Sequence, residues 1–151
     1  MKKNAGILLY KFVDNKPTVL LVHPGGPFWK NKDAGAWSIP KGEFTEDEDA
    51  LEAARREFEE ETGTACSGNF IALSPVKQAS GKMVYTWALE KDLDTSKIKS
   101  NEFTMEWPPK SGMQQSFPEI DKAQWFSTAM ANQKINAAQV GLIAELLRLL
   151  K

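Results

Sequence analysis

The stretch that decides the fold of this chain is GEFTEDEDALEAARREFEEETGT, residues 42–64. It belongs to a strongly acidic region, because residues 41–61 hold ten acidic and three basic side chains. Glu57, Glu60 and Glu61 stand at i, i+3 and i+4, which places three carboxylates on one face of a helix. Like charges stacked in this way destabilise a helix. A bound divalent cation would offset the repulsion, because hard cations take oxygen ligands.

The same stretch carries the pattern of an amphipathic helix. Its apolar residues recur at i, i+3 and i+7, at Leu51, Ala54 and Phe58. This pattern predicts a helix that buries one side and leaves the carboxylate side facing a cleft. Thr45 with Glu48 three residues later is a capping box and predicts the start of the helix. Gly63 predicts its end.

The whole chain has the composition of one globular domain. It has 151 residues, 42% hydrophobic and 26% charged, with a net charge of −1. Cys66 is the single cysteine, so a disulfide within the chain is excluded, and a reduced, cytoplasmic setting is predicted. The start, MKKNAGILLYKFVD, has too short an apolar run for a signal peptide. No stretch approaches the ~20 apolar residues of a membrane-spanning helix.

Apolar, β-branched runs predict strands on both sides of the acidic helix. The expected strands are 5–13, 18–23, 69–78, 82–90, 102–107 and 121–126, with a second amphipathic helix at 136–150. Residues 24–35 are rich in glycine and proline and predict a loop. Residues 110–119 are polar and also predict a loop. The order of strands and helices predicts an α/β fold, an α/β/α sandwich with a mixed sheet.

The spacing within 42–64 resembles the signature of the Nudix hydrolase family. That signature is G, five residues, E, seven residues, then R-E-U-x-E-E-x-G-U, where U is apolar. The matching residues are Gly42, Glu48, Arg56, Glu57, Phe58, Glu60, Glu61 and Gly63. Thr64 departs from the last apolar position, which usually serves packing. The segments WSIPKGE and WPPKSG…FPEIDKAQWF are similar to a bacterial and archaeal branch described as predicted nucleoside-triphosphate pyrophosphohydrolases.

This resemblance implies a single Nudix domain over residues 1–151 and a metal-dependent hydrolase. Family members hydrolyse a nucleoside diphosphate linked to another moiety. By resemblance, the metal ligands are Glu57, Glu60, Glu61 and the carbonyl of Gly42, holding Mg²⁺ or Mn²⁺. The catalytic set is expected to be Glu57, Glu60, Arg56 and Glu119. Either Glu57 or Glu119 is the general base, and Arg56 is expected to orient carboxylates.

Glu48 has two open roles. It closes the capping box with Thr45, or it lies near the metals, as the resemblance implies for this position of the signature.

Substrate contacts are expected outside the acidic helix. Lys41 and Lys110 are candidates for phosphate contacts, each against the alternative of a solvated cation. Trp29 and Trp107 are candidates for stacking on a base, against the alternative of core packing. The other aromatic and potentially reactive residues considered are expected to have structural roles or no catalytic role. They are Trp37, Tyr85, His23 and Cys66.

The resemblance leaves the substrate open. Candidates are (d)NTPs, dinucleoside polyphosphates and the 5′ end of RNA. The chain has no strong basic stripe, which disfavours a nucleic-acid substrate without excluding it. The alternative function is a nucleotide-sensing module that has lost activity on the same scaffold. The presence of all three carboxylates argues against that alternative.

Overall fold

The computed structural model describes residues 3–150. Its larger sheet has seven strands, with the order β4-β6-β1-β2-β9, while β3 pairs with β1 and β5 pairs with β6. These strands are β1 (Lys3–Val13), β2 (Lys16–Pro24), β3 (Lys41–Phe44), β4 (Ile71–Ala72), β5 (Val76–Lys77), β6 (Met83–Glu90) and β9 (Ile120–Ser127). A separate two-stranded sheet contains β7 (Glu102–Glu106) and β8 (Gln114–Pro118). The α-helices are α1 (Ala50–Thr62), α2 (Thr128–Lys134) and α3 (Val140–Leu149).

The central strand, β1, makes the sheet mixed. It pairs antiparallel with β2 and β3 and parallel with β6. The turn into β2 uses Asp14 and Asn15, whose φ angles are 52° and 65°. Two-residue hairpin turns of this kind require positive φ at both central residues, and aspartate and asparagine tolerate it.

The sheet is buried on both faces, which gives the three predicted layers. Successive residues of β1 point to opposite faces. On one face, Ile7 and Leu9 pack with Phe58 of α1. On the other face, Leu8 packs with Ile143 of α3. The predicted α/β/α sandwich is therefore confirmed.

The predicted loop at 110–119 is wrong over half of its length. Residues Gln114–Pro118 form β8, which pairs antiparallel with β7. Only Gln115 and Phe117 of this strand are half-buried, and its other residues are exposed. A strand with so little apolar surface gives a weak sequence signal.

Other element boundaries also differ from the sequence predictions. Helix α1 begins at Ala50, with Asp49 as its N-cap accepting a hydrogen bond from the Glu52 amide at 3.1 Å. Thr45 lies before the helix in a turn and is not the cap. The predicted strand 69–78 is two short strands, β4 and β5, with Pro75 in the gap between them.

The predicted helix 136–150 begins with a short 3₁₀ turn, and both β3 and α2 were not predicted. Within the described range 3–150, no helix has the length and apolar character needed to cross a membrane. Met1, Lys2 and Lys151, which the predicted domain includes, lie outside the described residues.

Candidate active site

Strand β3 and helix α1 bring the predicted carboxylates against a glycine. A Cβ atom added to Gly42 would lie 2.0 Å from Cδ of Glu57 and 2.1 and 2.4 Å from its carboxylate oxygens. A side chain at this position would fit only if the Glu57 carboxylate moved away from the strand. Gly42 therefore allows the Glu57 carboxylate to lie directly on the backbone of β3.

Glu57 and Glu61 are carboxylates held in poorly solvated positions. The Glu57 side chain is 12% exposed. Burial raises the pKa of Glu57, and the charge of Glu60 raises it further against the opposing effect of Arg56. Burial raises the pKa of Glu61 to about 8, although the Lys41 charge opposes this. An oxygen of Glu61 accepts a hydrogen bond from the Lys41 amide at 3.3 Å.

Arg56 connects the carboxylates of this region. Its Nε and Nη2 donate to the two carboxylate oxygens of Glu48 at 2.9 and 3.0 Å. Its Nη1 donates to Glu57 at 2.9 Å and, over a longer distance of 3.4 Å, to Glu60. The hydrogen bonds to Glu48 are the largest cause of a raised pKa for Arg56. Glu48 thus anchors the guanidinium that orients Glu57, and it has no part in capping α1.

Glu119 is distant in sequence but lies beside the same carboxylates. Its amide donates to the carbonyl of Asn101 at 2.8 Å, and the Asn101 amide donates to the carbonyl of Glu60 at 2.9 Å. Burial raises the pKa of Glu119, and the charge of Glu60 adds to the effect. The charge of Glu119 in turn raises the pKa of Glu57. The structure therefore brings Glu119 to the end of α1.

The two predicted phosphate-binding lysines differ in position. Lys41 is half-buried and, with Glu61 and Glu119, lines a cavity of about 160 Å³. Burial lowers the pKa of Lys41, whereas the Glu61 charge opposes that shift. Lys110 lies in the β7–β8 turn, and its ammonium forms no hydrogen bond or ion pair within residues 3–150. The structure thus places Lys41, but not Lys110, among the carboxylates.

The two predicted stacking residues lie on one side of the carboxylates. Trp29 is 40% exposed and lines a cavity of about 480 Å³ that Glu119 also borders. Trp107 packs edge-on against Phe28, which lines the same cavity, with the ring centroids 5.5 Å apart. Both tryptophans are therefore close to a cavity beside the candidate site.

Sequence reasoning missed three residues of this cavity, Phe28, Phe103 and Met105. Phe103 and Met105 are two positions apart on β7 and point to the same face. The alternation of Phe103, Met105 and Trp107 in EFTMEW was the signal that could have found them. Phe28 has no comparable signal, because it lies in a loop.

A larger cavity, about 710 Å³, lies elsewhere in the molecule. It is lined by the ends of β1 and β6, including Tyr10 and Glu90, and shares no residue with the carboxylate region. Its walls include Lys11 and Asp92, which pair with each other at 2.8 Å. This larger cavity is therefore separate from the carboxylate region.

The residues expected to be structural are placed accordingly. Trp37 is 2% exposed, in the core. His23 is buried, and its ring nitrogens lie 2.8 Å from Asp121 and 2.7 Å from the carbonyl of Lys32. Cys66 is buried, and burial raises the pKa of its thiol. None of these groups is available as a nucleophile or free ligand.

The donor chemistry of the carboxylate region suits a hard divalent cation. Its side-chain donors are carboxylate oxygens, and the backbone at Gly42 lies against one of them. Across residues 3–150, however, no three or more histidine, cysteine, aspartate or glutamate side chains are already gathered as a metal cage. The Arg56 guanidinium instead lies between Glu57 and Glu60.

Comparison with known proteins gives a family and a set of similar folds. The family model for the NUDIX domain matches residues 2–146. The Ap4A hydrolase of C. elegans, in a binary complex, is 21% identical with a TM-score of 0.68, covering 98% of each chain. The NUDIX domain of Shewanella oneidensis NrtR, complexed with ADP ribose, is 16% identical with a TM-score of 0.65, covering 98% of this chain and 87% of its own.

The E. coli ORF135 protein is also similar, at 21% identity and a TM-score of 0.56, covering 99% of this chain and 91% of its own. A search of curated protein sequences finds no significant match. At these identities the solved structures establish the fold, while the family model establishes the family.

Proposed function

The chain belongs to the NUDIX family, whose hydrolases act on nucleotide anhydrides, and we propose that it is a metal-dependent pyrophosphohydrolase of nucleoside diphosphate derivatives. The observation that carries the proposal is the seating of the Glu57 carboxylate on Gly42, with Glu60, Glu61 and Glu119 around it. Three neighbouring carboxylates with raised pKa values, at Glu57, Glu61 and Glu119, are typical of a functional site.

Mg²⁺ or Mn²⁺ is the proposed cofactor. Glu57, Glu60, Glu61 and the Gly42 carbonyl would hold it. Bound there, a divalent cation would neutralise phosphate charge and would activate water for attack on phosphorus. The contact between Arg56 and Glu60, at 3.4 Å, is the weaker of the two that Arg56 makes with these ligands. Of these two carboxylates, Glu60 is therefore the freer to turn from Arg56 toward a cation.

The other residues of the site have separate roles in this proposal. Arg56, anchored by Glu48, keeps Glu57 oriented as a ligand. Lys41 provides a positive charge for a phosphate oxygen. Glu57 or Glu119 accepts the proton of the attacking water. Lys110 is a phosphate contact only for a substrate that reaches the β7–β8 turn.

Glu119→Gln distinguishes the two candidate bases. If Glu119 is the base, kcat falls by about 10²–10⁴-fold, which is the usual contribution of a general base. If the rate and its pH profile match those of the unmodified protein, the base is Glu57. Measuring kcat from pH 5 to 10 separates a lost base from a change in substrate affinity.

The proposed substrates are (d)NTPs, dinucleoside polyphosphates and triphosphorylated or capped RNA 5′ ends, in a cytoplasmic setting. The segments WSIPKGE and WPPKSG support membership in the branch described as nucleoside-triphosphate pyrophosphohydrolases. One of the similar structures is that of an Ap4A hydrolase, which supports testing dinucleoside polyphosphates.

A panel of these substrates tests the proposal. The protein is incubated with each compound and Mg²⁺ or Mn²⁺, and the products are separated and identified. The expected result is release of a nucleoside monophosphate with pyrophosphate or the remaining moiety, abolished by a chelator. Saturable nucleotide binding with no hydrolysis of any compound under either metal would contradict the proposal and favour the inactive sensing module.

A further inference from the structure

The cavity beside Glu119 has walls that are almost entirely apolar. It lies between residues 24–29 and strand β7 and has a volume of about 480 Å³, which is within the usual range for small-ligand pockets. Its side chains with apolar surface are Phe28, Trp29, Phe103 and Met105. Among the described residues that line it, the indole N–H of Trp29 and the carboxylate of Glu119 are the side-chain groups able to form strong hydrogen bonds.

Some backbone hydrogen-bonding groups around this cavity are absent or already engaged. Pro24 and Pro27 have no N–H. The Gly25 N–H donates to the carbonyl of Glu119 at 2.8 Å, and the Gly26 carbonyl accepts from the Trp29 amide at 3.3 Å. On the opposite wall, one edge of β7 pairs with β8, and Phe103 and Met105 of β7 line the cavity. A ligand in this cavity therefore meets aromatic and aliphatic surface.

Two glycines hold the cavity in this shape. A Cβ on Gly25 would lie 2.0 Å from the carbonyl oxygen of Pro118, so only glycine lets the loop lie on this strand. Gly26 has a φ of +96°, and a Cβ there would lie 2.8 Å from Cζ of Phe103. The Phe103 ring thus rests on bare backbone. The cavity is a pocket built into the loop and not a gap between mobile side chains.

Glu119 connects this pocket to the carboxylates. It borders both the apolar cavity and the small cavity that Lys41 and Glu61 line. A ligand with its flat aromatic end in the apolar cavity would direct its other end toward the proposed metal site. A nucleotide has this shape, with a base at one end and phosphates at the other.

We infer that this pocket, given the proposed function, binds the nucleotide base by stacking and does not read its hydrogen-bonding edge. Stacking on aromatic side chains tolerates any base, because every base has a π face. Sites that hydrogen-bond a substrate group reject analogues lacking it by about 10⁴–10⁵-fold. The enzyme therefore accepts adenine and guanine alike, and it prefers purines to pyrimidines because they offer a larger face.

Equilibrium titrations with AMP, GMP, CMP and UMP in the presence of Mg²⁺ test this inference by calorimetry. The expected Kd values for AMP and GMP agree within about threefold, and pyrimidines bind more weakly. Phe28→Ala and Phe103→Ala should weaken both purines equally, by about tenfold, since one stacking face is lost. Phe28 is 59% exposed, so its replacement leaves folding intact even if Phe103→Ala does not.

Phe12→Ala is the matched control, because Phe12 is 45% exposed and lies on the unrelated 710 Å³ cavity. It should leave every Kd unchanged. Trp29→Phe keeps an aromatic face and removes the N–H, so the AMP to GMP ratio should stay the same.

Three results would overturn the inference. These are a purine discrimination above about thirtyfold, unchanged purine binding in Phe28→Ala, or no saturable binding of any monophosphate. Failure of the proposed function would give a different set of results from failure of this inference. In that case nucleotide binding follows the expected pattern, while hydrolysis of every substrate in the panel is absent.

Discussion

Replacing Gly42 with alanine tests the geometry of the candidate site with one methyl group. The added Cβ would lie 2.0 Å from Cδ of Glu57, whereas ordinary contacts begin at 3.4 Å. The carboxylate must therefore move by about 1.4 Å. A misplacement of about 1 Å at a reacting centre can cost about 10²-fold in rate. We expect kcat/KM to fall by about 10²-fold and the affinity for Mg²⁺ or Mn²⁺ to fall with it.

The same change should leave the fold nearly unaffected. Gly42 does not have a positive φ, and the clash is with the end of a flexible side chain. We therefore expect the free energy of unfolding to change by less than about 1 kcal/mol. The assays are steady-state hydrolysis of a substrate from the panel, calorimetric metal titration and denaturant unfolding.

Gly141→Ala provides the matched control. Gly141 lies in α3, and a Cβ there would meet no atom within 4 Å. This variant should keep full activity and gain up to about 1 kcal/mol of stability, because alanine is the better helix former. Activity and metal affinity of Gly42→Ala within threefold of the unmodified protein would refute the assignment of Gly42 and Glu57.

Three further predictions concern individual side chains. Arg56→Lys removes the two-pronged contact with Glu48 and should lower kcat/KM about 10–100-fold with little change in Tm; equal activity would show that Arg56 does not position the ligands. Because burial raises the pKa of Cys66, a thiol reagent at pH 8 should label the folded protein far more slowly than the denatured protein, and equal rates would contradict this. Hydrogen bonds from Lys134 and Trp37 lower the pKa of Asp33 in the folded protein. Ionised Asp33 therefore stabilises the fold above its unfolded pKa of about 3.8. This stabilisation is lost as the pH falls through the lower pKa that Asp33 has in the folded protein. Asp33→Asn should therefore be less stable than the unmodified protein at pH 7 and approach it near pH 2 in urea unfolding; a constant difference would be inconsistent with the pair.

The part of the site that sequence could predict is the part encoded locally. Glu57, Glu60 and Glu61 share a helix, so their spacing alone places them together. The resemblance also added Glu119 to this set. No local pattern could do so, because its position depends on backbone hydrogen bonds that run from Glu60 through Asn101 to Glu119.

The errors in the fold prediction have the same physical origin. Thr45 and Asp49 both have side chains suited to cap a helix. Which of them caps α1 depends on where β3 ends and on the path of the chain from β3 to α1. Strand β8 is marked by weak alternation at Gln115 and Phe117, so its pairing with β7 decides its structure. The apolar pocket depends likewise on Gly26 meeting Phe103, which are far apart in sequence.

The most direct test of the central claim compares Glu60→Gln with Glu59→Gln on the same helix. Both changes replace a carboxylate with an amide of equal size, but Glu59 is exposed and forms no hydrogen bond to Arg56 within the described chain. With Mg²⁺ and the best substrate of the panel, we expect Glu60→Gln to lose about 10²–10³-fold in kcat/KM while staying folded. Glu59→Gln should retain full activity. Equal activity of the two variants would contradict a metal-dependent site on this face of α1.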